Sequence, residues 1–272
     1  MNIDKCKVCA SKEMKHDYHS SLCMSCLSMH NKNASDVKYH GDEGQNIPTQ
    51  EKHHLRLENA SNRLKILEPF LDMKNLAIVD IGCGSGEILE LASEKSRYAL
   101  GFDINEKLIK HNISRGRKVL NSEFSRTSLE KFTSGNCLVM ISHVLEHIEF
   151  PVKFLRKIVN QLKKDDYLWI EVPCHEGSSF KSQGYNWDLW YEEHYYLFSL
   201  KFKDVILKIF ELEEIVYGPR VFCAGSISLK SKVFSLIKSP INAFSFFLNH
   251  PNGTFFMDYM LKDYYYLLYR VK

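Results

Sequence analysis

An apolar run that ends in alternating glycines constrains this chain more than any other feature. Residues 78–87 read Ile-Val-Asp-Ile-Gly-Cys-Gly-Ser-Gly-Glu. The pattern predicts a buried strand over 76–81, a glycine loop, and a helix from about residue 85 to residue 96. Gly82, Gly84 and Gly86 leave no side chains between the backbone and a ligand. The free N–H groups at the start of the helix point into the same space. Open α/β sheets bind ligands at such loops, at the C-terminal ends of strands.

The dinucleotide fingerprint would require glycine at position 87, where this chain has Glu87. Asp80 lies two places before the first glycine, where it would repel a pyrophosphate and attract a cationic amino group. Asp103 ends the next apolar run, Tyr98–Asp103, where a carboxylate can accept both hydroxyls of a ribose. Together these residues resemble the S-adenosylmethionine site of class I methyltransferases. The resemblance implies an α/β, Rossmann-like fold with a seven-stranded sheet. It also implies a donor site made by Asp80, Gly82, Cys83, Gly84, Gly86, Asp103, Ile104, Ser142 and His143.

Of 272 residues, 44% are hydrophobic and 25% charged, which is ordinary for a soluble globular protein. A net charge of +3, spread without a basic face, argues against a nucleic-acid partner. The N-terminus has no apolar core of a signal peptide, and there is no apolar run long enough to span a membrane. A cytoplasmic location and reduced cysteines are therefore expected.

Cys6-x-x-Cys9 and Cys23-x-x-Cys26 frame the first segment. Two such knuckles around a short polar loop suit one tetrahedral structural Zn²⁺. A redox dithiol is the alternative, but redox motifs do not usually come doubled. The segment has few apolar residues, so metal would supply its folding energy. His16, His19 and His30 are expected at the surface rather than on the metal.

Residues 32–50 read as a linker, and 51–71 as a helix that either helps close the cofactor pocket or covers the sheet. A third strand is expected at 118–120, with Glu123 and Phe124 beside the adenine. The fourth strand, 137–141, runs into Ser142-His-Val-Leu-Glu-His-Ile148, a stretch that resembles the H-V-L-E-H-I motif of many class I methyltransferases. His143 is expected to reach the site, and Glu146 and His147 to start a helix or pack. An H-x-x-E-H metal reading of these residues is set aside, because the strand-exit pattern already accounts for them. A helix opening at Pro151 and a fifth strand over 167–172 follow.

Residues 185–198, Tyr-Asn-Trp-Asp-Leu-Trp-Tyr-Glu-Glu-His-Tyr-Tyr-Leu-Phe, come where this fold builds its acceptor side. A histidine among carboxylates suits a general base, and a packed aromatic insertion is the alternative. Strands over 212–217 and 221–229 are expected to complete the sheet as an antiparallel pair. The tail from 230 reads as helical and aromatic. It is expected to cover the core, to pair two copies into a homodimer, or to rest on a membrane surface.

This order of features, over roughly residues 5–229, resembles the sugar C-methyltransferases that act on nucleotide-linked keto-deoxysugars. The resemblance implies that Tyr191, Glu193 and His194 surround the sugar, with His194 as base and His143 as its rival. Ala224-Gly-Ser226 partly echoes that family's Gly-Gly-Ser strand. Its second, nucleotide-holding domain is not expected here. Three parts are thus anticipated: a zinc-binding segment over 1–45, a methyltransferase domain over 46–229 and a helical tail over 230–272. The expected reaction is C- or O-methylation of a small polar acceptor such as a sugar or nucleotide-linked sugar. RNA or protein methylation, or a non-catalytic regulatory subunit, are the alternatives.

Overall fold

A computed structural model describes residues 3–34, 47–220 and 263–272. Three short strands open the chain, β1 (Met14–His16), β2 (Ser20–Cys23) and β3 (Met29–Asn31). Helix α1 (Gln50–Leu67) follows, capped by Thr49, whose hydroxyl accepts from the Lys52 N–H. Next come β4 (Ala77–Ile81), α2 (Glu87–Lys95), β5 (Tyr98–Asp103), α3 (Glu106–Ser114), β6 (Val119–Asn121), α4 (Arg126–Glu130), β7 (Cys137–Ser142) and α5 (Pro151–Val159). The chain continues through β8 (Tyr167–Pro173), α6 (Ser178–Gln183), β9 (Tyr196–Leu197), α7 (Phe202–Ile209), β10 (Leu212–Arg220) and β11 (Tyr264–Val271).

Seven strands form one sheet in the order β10-β11-β8-β7-β4-β5-β6. From β6 to β8 the pairings are parallel, and β11 runs antiparallel to both β8 and β10. Alternate residues of the central strands feed two cores. Val79, Val139 and Ile170 join one, with Leu155 of α5 and Ile206 of α7. Ile78, Met140 and Trp169 join the other, with Leu64 of α1 and Ile88 of α2. Burial on both faces is why these strands read as continuous apolar runs. Successive strands are laid out to one side of β4 through β6 and to the other side from β7, so the order switches between the parallel strands β4 and β7 and the ligand crevice of such a sheet opens at their C-terminal ends.

The end of the chain corrects the sequence reading. Tyr264–Val271 is not part of a helical tail. It is an inner strand, with Tyr266 stacked on Trp169 at 4.9 Å between ring centres. Among the described residues the antiparallel partner of β10 is β11. The expected strand over 221–229, the Ala224-Gly-Ser226 echo and the rest of the aromatic tail to residue 262 lie outside the described residues, as does most of the linker.

The first segment is not separate either. Strand β3 pairs with β9, giving a four-stranded sheet β1-β2-β3-β9 whose last strand belongs to the 185–198 stretch. No helix among the described residues is long and apolar enough to cross a membrane.

Candidate active site

The glycine loop joins β4 to α2. Gly82, Gly84 and Gly86 all have positive φ, of 69°, 53° and 85°. A Cβ on Gly86 would lie 1.8 Å from Asn112 Oδ1, so this turn admits only glycine. A Cβ on Gly84 would meet nothing within 4 Å, and Gly84 lines a cavity of about 1450 Å³. That exceeds the roughly 300–1,000 Å³ of an ordinary ligand pocket and leaves room for a donor and an acceptor together.

The expected donor residues Asp80, Gly82, Cys83, Gly84, Asp103 and Ile104 all line this cavity, as do Ser142 and His143. Gly86 shapes the turn behind it as the N-cap of α2. The Asp103 carboxylate accepts the Gly84 and Asn105 N–H groups, each at 2.8 Å, which fixes it at the end of β5. Ile104 beside it is 69% exposed. Ser142 Oγ is buried without a hydrogen-bond partner among the described residues. Phe124 packs edge-on against Phe102, while Glu123 pairs with Lys157 at 3.0 Å.

Burial raises the Asp80 carboxyl to about 7, against the opposing pull of the Arg63 guanidinium. A cationic ligand group beside it would restore its ionised form. An acidic pocket with a side-chain-free loop fits the amino-acid end of S-adenosylmethionine.

Arg63, on α1, makes a two-pronged bond to Glu171 of β8, Nε to Oε2 at 2.8 Å and Nη2 to Oε1 at 3.0 Å. Glu171 also meets His143 Nε2 at 2.9 Å. His143 has a positive φ of 57°, a strained conformation for a non-glycine residue, and its ring packs edge-on against Tyr264. Burial works against a charged His143 ring, but Glu146 and Glu171 overcome it and raise its pKa. Helix α1 thus does more than cover the sheet, since Arg56, Asn59 and Arg63 line the cavity. Sequence reading missed Arg63, Glu171 and Tyr264. The available signal was Glu171, an acid inside the otherwise apolar run Leu168-Trp-Ile-Glu-Val172.

The wall of the cavity expected to face the acceptor comes from two stretches. A short turn, Leu145–His147, follows β7, and the 187–195 stretch packs directly against it, the two together lining one wall of the cavity. The Tyr195 N–H donates to the Glu146 carbonyl at 2.7 Å, and His147 Nδ1 to the Glu193 carbonyl at 3.1 Å. His194 is 3% exposed and donates Nδ1–H to the Leu189 carbonyl at 2.8 Å. Its ring lies 4.2 Å from Tyr191 and 4.5 Å from His147. Burial lowers His194 to about 3, which keeps it neutral and makes it a weak proton acceptor. Tyr191, 39% exposed, and Glu193 line the same wall.

The four cysteines of the first segment converge. Their sulfurs all lie within 4.8 Å of one another, with Cys6 to Cys26 at 3.7 Å and Cys9 to Cys23 at 3.5 Å. Ala10 and Leu27, each just after the second cysteine of a knuckle, both have positive φ. The two knuckles therefore share one turn geometry. His30 is buried rather than at the surface, with Nε2 3.2 Å from Cys6 Sγ. It packs edge-on against Tyr196.

The chain is 23% identical over 124 residues to (S)-coclaurine N-methyltransferase of Thalictrum flavum subsp. glaucum, covering 43% of this chain and 34% of that protein. It thus spans about a third of the length of the curated relative it matches. The crystal structure of a SAM-dependent methyltransferase from Archaeoglobus fulgidus superposes with a TM-score of 0.52 at 21% identity, over 81% of this chain and 97% of that one, and shows the same fold. The model of the methyltransferase domain family matches residues 52–213. With the glycine loop, its flanking acids and the strand order already described, that match establishes that this chain belongs to the family of S-adenosylmethionine-dependent methyltransferase domains.

Proposed function

We propose that this chain transfers a methyl group from S-adenosylmethionine to a small polar acceptor, a sugar or nucleotide-linked sugar of surface-glycan or secondary-metabolite biosynthesis. When bound, the donor supplies an electrophilic methyl carbon on a sulfonium. Asp80 would hold its amino group and Asp103 its ribose hydroxyls. The acceptor would lie against Tyr191, Glu193, His194 and His143. The observation that carries this reading is the wall made by residues 187–194 and the Glu146 turn around a cavity shared with the glycine loop. The donor end of the cavity is thereby continuous with a polar, aromatic-walled acceptor end. The family resemblance supports the sugar and assigns the base to His194.

The four cysteines are proposed to hold one structural zinc, on the strength of their convergence and paired turns. The test of function is transfer of labelled methyl to a panel of nucleotide-linked sugars, free sugars and RNA. Label in a sugar supports the reading, and label only in RNA or protein overturns it. His194→Ala should lower turnover by about 10²–10⁴ while leaving S-adenosylhomocysteine affinity unchanged.

A further inference from the structure

Glu146 is 1% exposed, and neither of its carboxylate oxygens has a hydrogen-bond partner among the described residues. His143 Nδ1 makes an ion-pair contact with Oε1 at 3.4 Å, and Oε2 keeps no hydrogen-bond partner among the described residues. A buried carboxylate left in that state is costly unless a cation compensates it.

Two imidazoles complete the cluster. His147 gives its Nδ1–H to the Glu193 carbonyl and His194 gives its own to the Leu189 carbonyl. In the tautomer that carries its proton on Nδ1, an imidazole has its lone pair on Nε2. One donor atom from each of Glu146, His147 and His194 lies within 4.8 Å of the other two, and all three residues line the cavity. A carboxylate and two imidazoles whose Nδ1–H groups are held on carbonyls can turn lone pairs toward one point. Metal-bound histidines typically hold their remote N–H on a carbonyl in this way.

We propose that Glu146, His147 and His194 form a second metal site, which takes a divalent transition ion such as Mn²⁺, Fe²⁺ or Zn²⁺ on the acceptor side of the pocket. Two imidazoles and one carboxylate are the donor set of three-ligand sites that keep coordination positions open. The H-x-x-E-H pattern of the sequence does not supply this site as it stands. His143 is tied to Glu171, and the third ligand comes from His194, in a different stretch of the chain.

The inference rests on the methyltransferase reading for what the ion does, and it narrows the acceptor to one bearing a hydroxyl. Coordination of that hydroxyl lowers its pKa. Its O–H bond breaks and the proton leaves to solvent. The oxygen then forms a bond to the methyl carbon as the carbon–sulfur bond breaks, and the sulfonium becomes a neutral thioether. With His194 as a ligand, the ion would take the activating role that the family resemblance gives to His194 as base.

The test is a Mn²⁺ titration of the full-length, zinc-loaded protein followed by electron paramagnetic resonance, with S-adenosylhomocysteine calorimetry on the same samples. One Mn²⁺ should bind per chain, at least about tenfold more weakly in Glu146→Gln and in His194→Ala. S-adenosylhomocysteine affinity should be unchanged in both variants. If the wild type binds S-adenosylhomocysteine but takes up no Mn²⁺, Co²⁺ or further Zn²⁺, the metal site is overturned and the methyltransferase reading stands. Equal metal binding in both variants and the wild type also overturns it. Failure of the wild type to bind S-adenosylhomocysteine overturns the donor-site reading instead. Glu146→Gln preserves side-chain volume, and the wild-type stoichiometry decides the matter even if a variant fails to fold.

Discussion

The Asn31 side-chain amide, 163 residues from His194 in sequence, donates to the His194 backbone carbonyl at 3.1 Å. The same nitrogen donates to the Tyr191 carbonyl at 3.0 Å, and the Asn31 backbone N–H to the Tyr195 carbonyl at 2.9 Å. The cysteine segment therefore holds the backbone of residues 191–195, the wall proposed to meet the acceptor. Asn31→Ala would strand two carbonyls, at about 1–3 kcal/mol each where they are buried. We expect kcat/KM for the acceptor to fall and S-adenosylhomocysteine affinity to hold. Equal loss of both in steady-state kinetics and calorimetry would contradict this division.

Zinc removal should act through the same strand pairing. Elemental analysis should find about one tightly held zinc per chain, and Cys9→Ser should release it. Turnover should drop before donor affinity does, because β3 is paired to β9 while the glycine loop belongs to the other sheet. Protein purified without chelators that contains no metal would refute the assignment.

Asp80 makes donor binding pH-dependent. Its native pKa is raised to about 7 from 3.8, so the ligand-free protein holds a proton there that the unfolded chain loses. Its contribution to stability therefore falls as pH rises from about 4 to about 7. Ligand binding has the opposite sign, since only the carboxylate attracts the donor's ammonium. Affinity should be highest above pH 7 and fall by up to about tenfold per unit below it. Calorimetry across this range checks it, and Asp80→Asn should flatten the profile.

Arg63 and Glu171 form a buried ion pair. Arg63→Ala leaves the Glu171 carboxylate without its main cationic partner and should cost about 3–5 kcal/mol of stability. Denaturant unfolding with and without S-adenosylhomocysteine measures it. A cost under about 1 kcal/mol would mean that His143 alone compensates Glu171.

The donor loop was legible from sequence because its determinants are local. Three glycines that need positive φ, an acid before them and an acid ending the next strand lie within 24 residues of one another. The four cysteines were legible for the same reason. Strand β11 was not, because a strand buried on both faces between β8 and β10 shows no alternation, so Tyr264–Val271 carries no periodic signal. The acceptor wall was half legible. Composition marked residues 185–198 as unusual, but the burial that lowers the His194 pKa belongs to the packed state alone. By itself the sequence determined the parallel strands of the sheet, the glycine loop and the paired knuckles, through short-range backbone and side-chain demands. Only the tertiary structure decided that Asn31 holds the acceptor wall, that Arg63 meets Glu171, and that Glu146, His147 and His194 converge. Those pairings depend on desolvation and on contacts between distant segments, which no local pattern encodes.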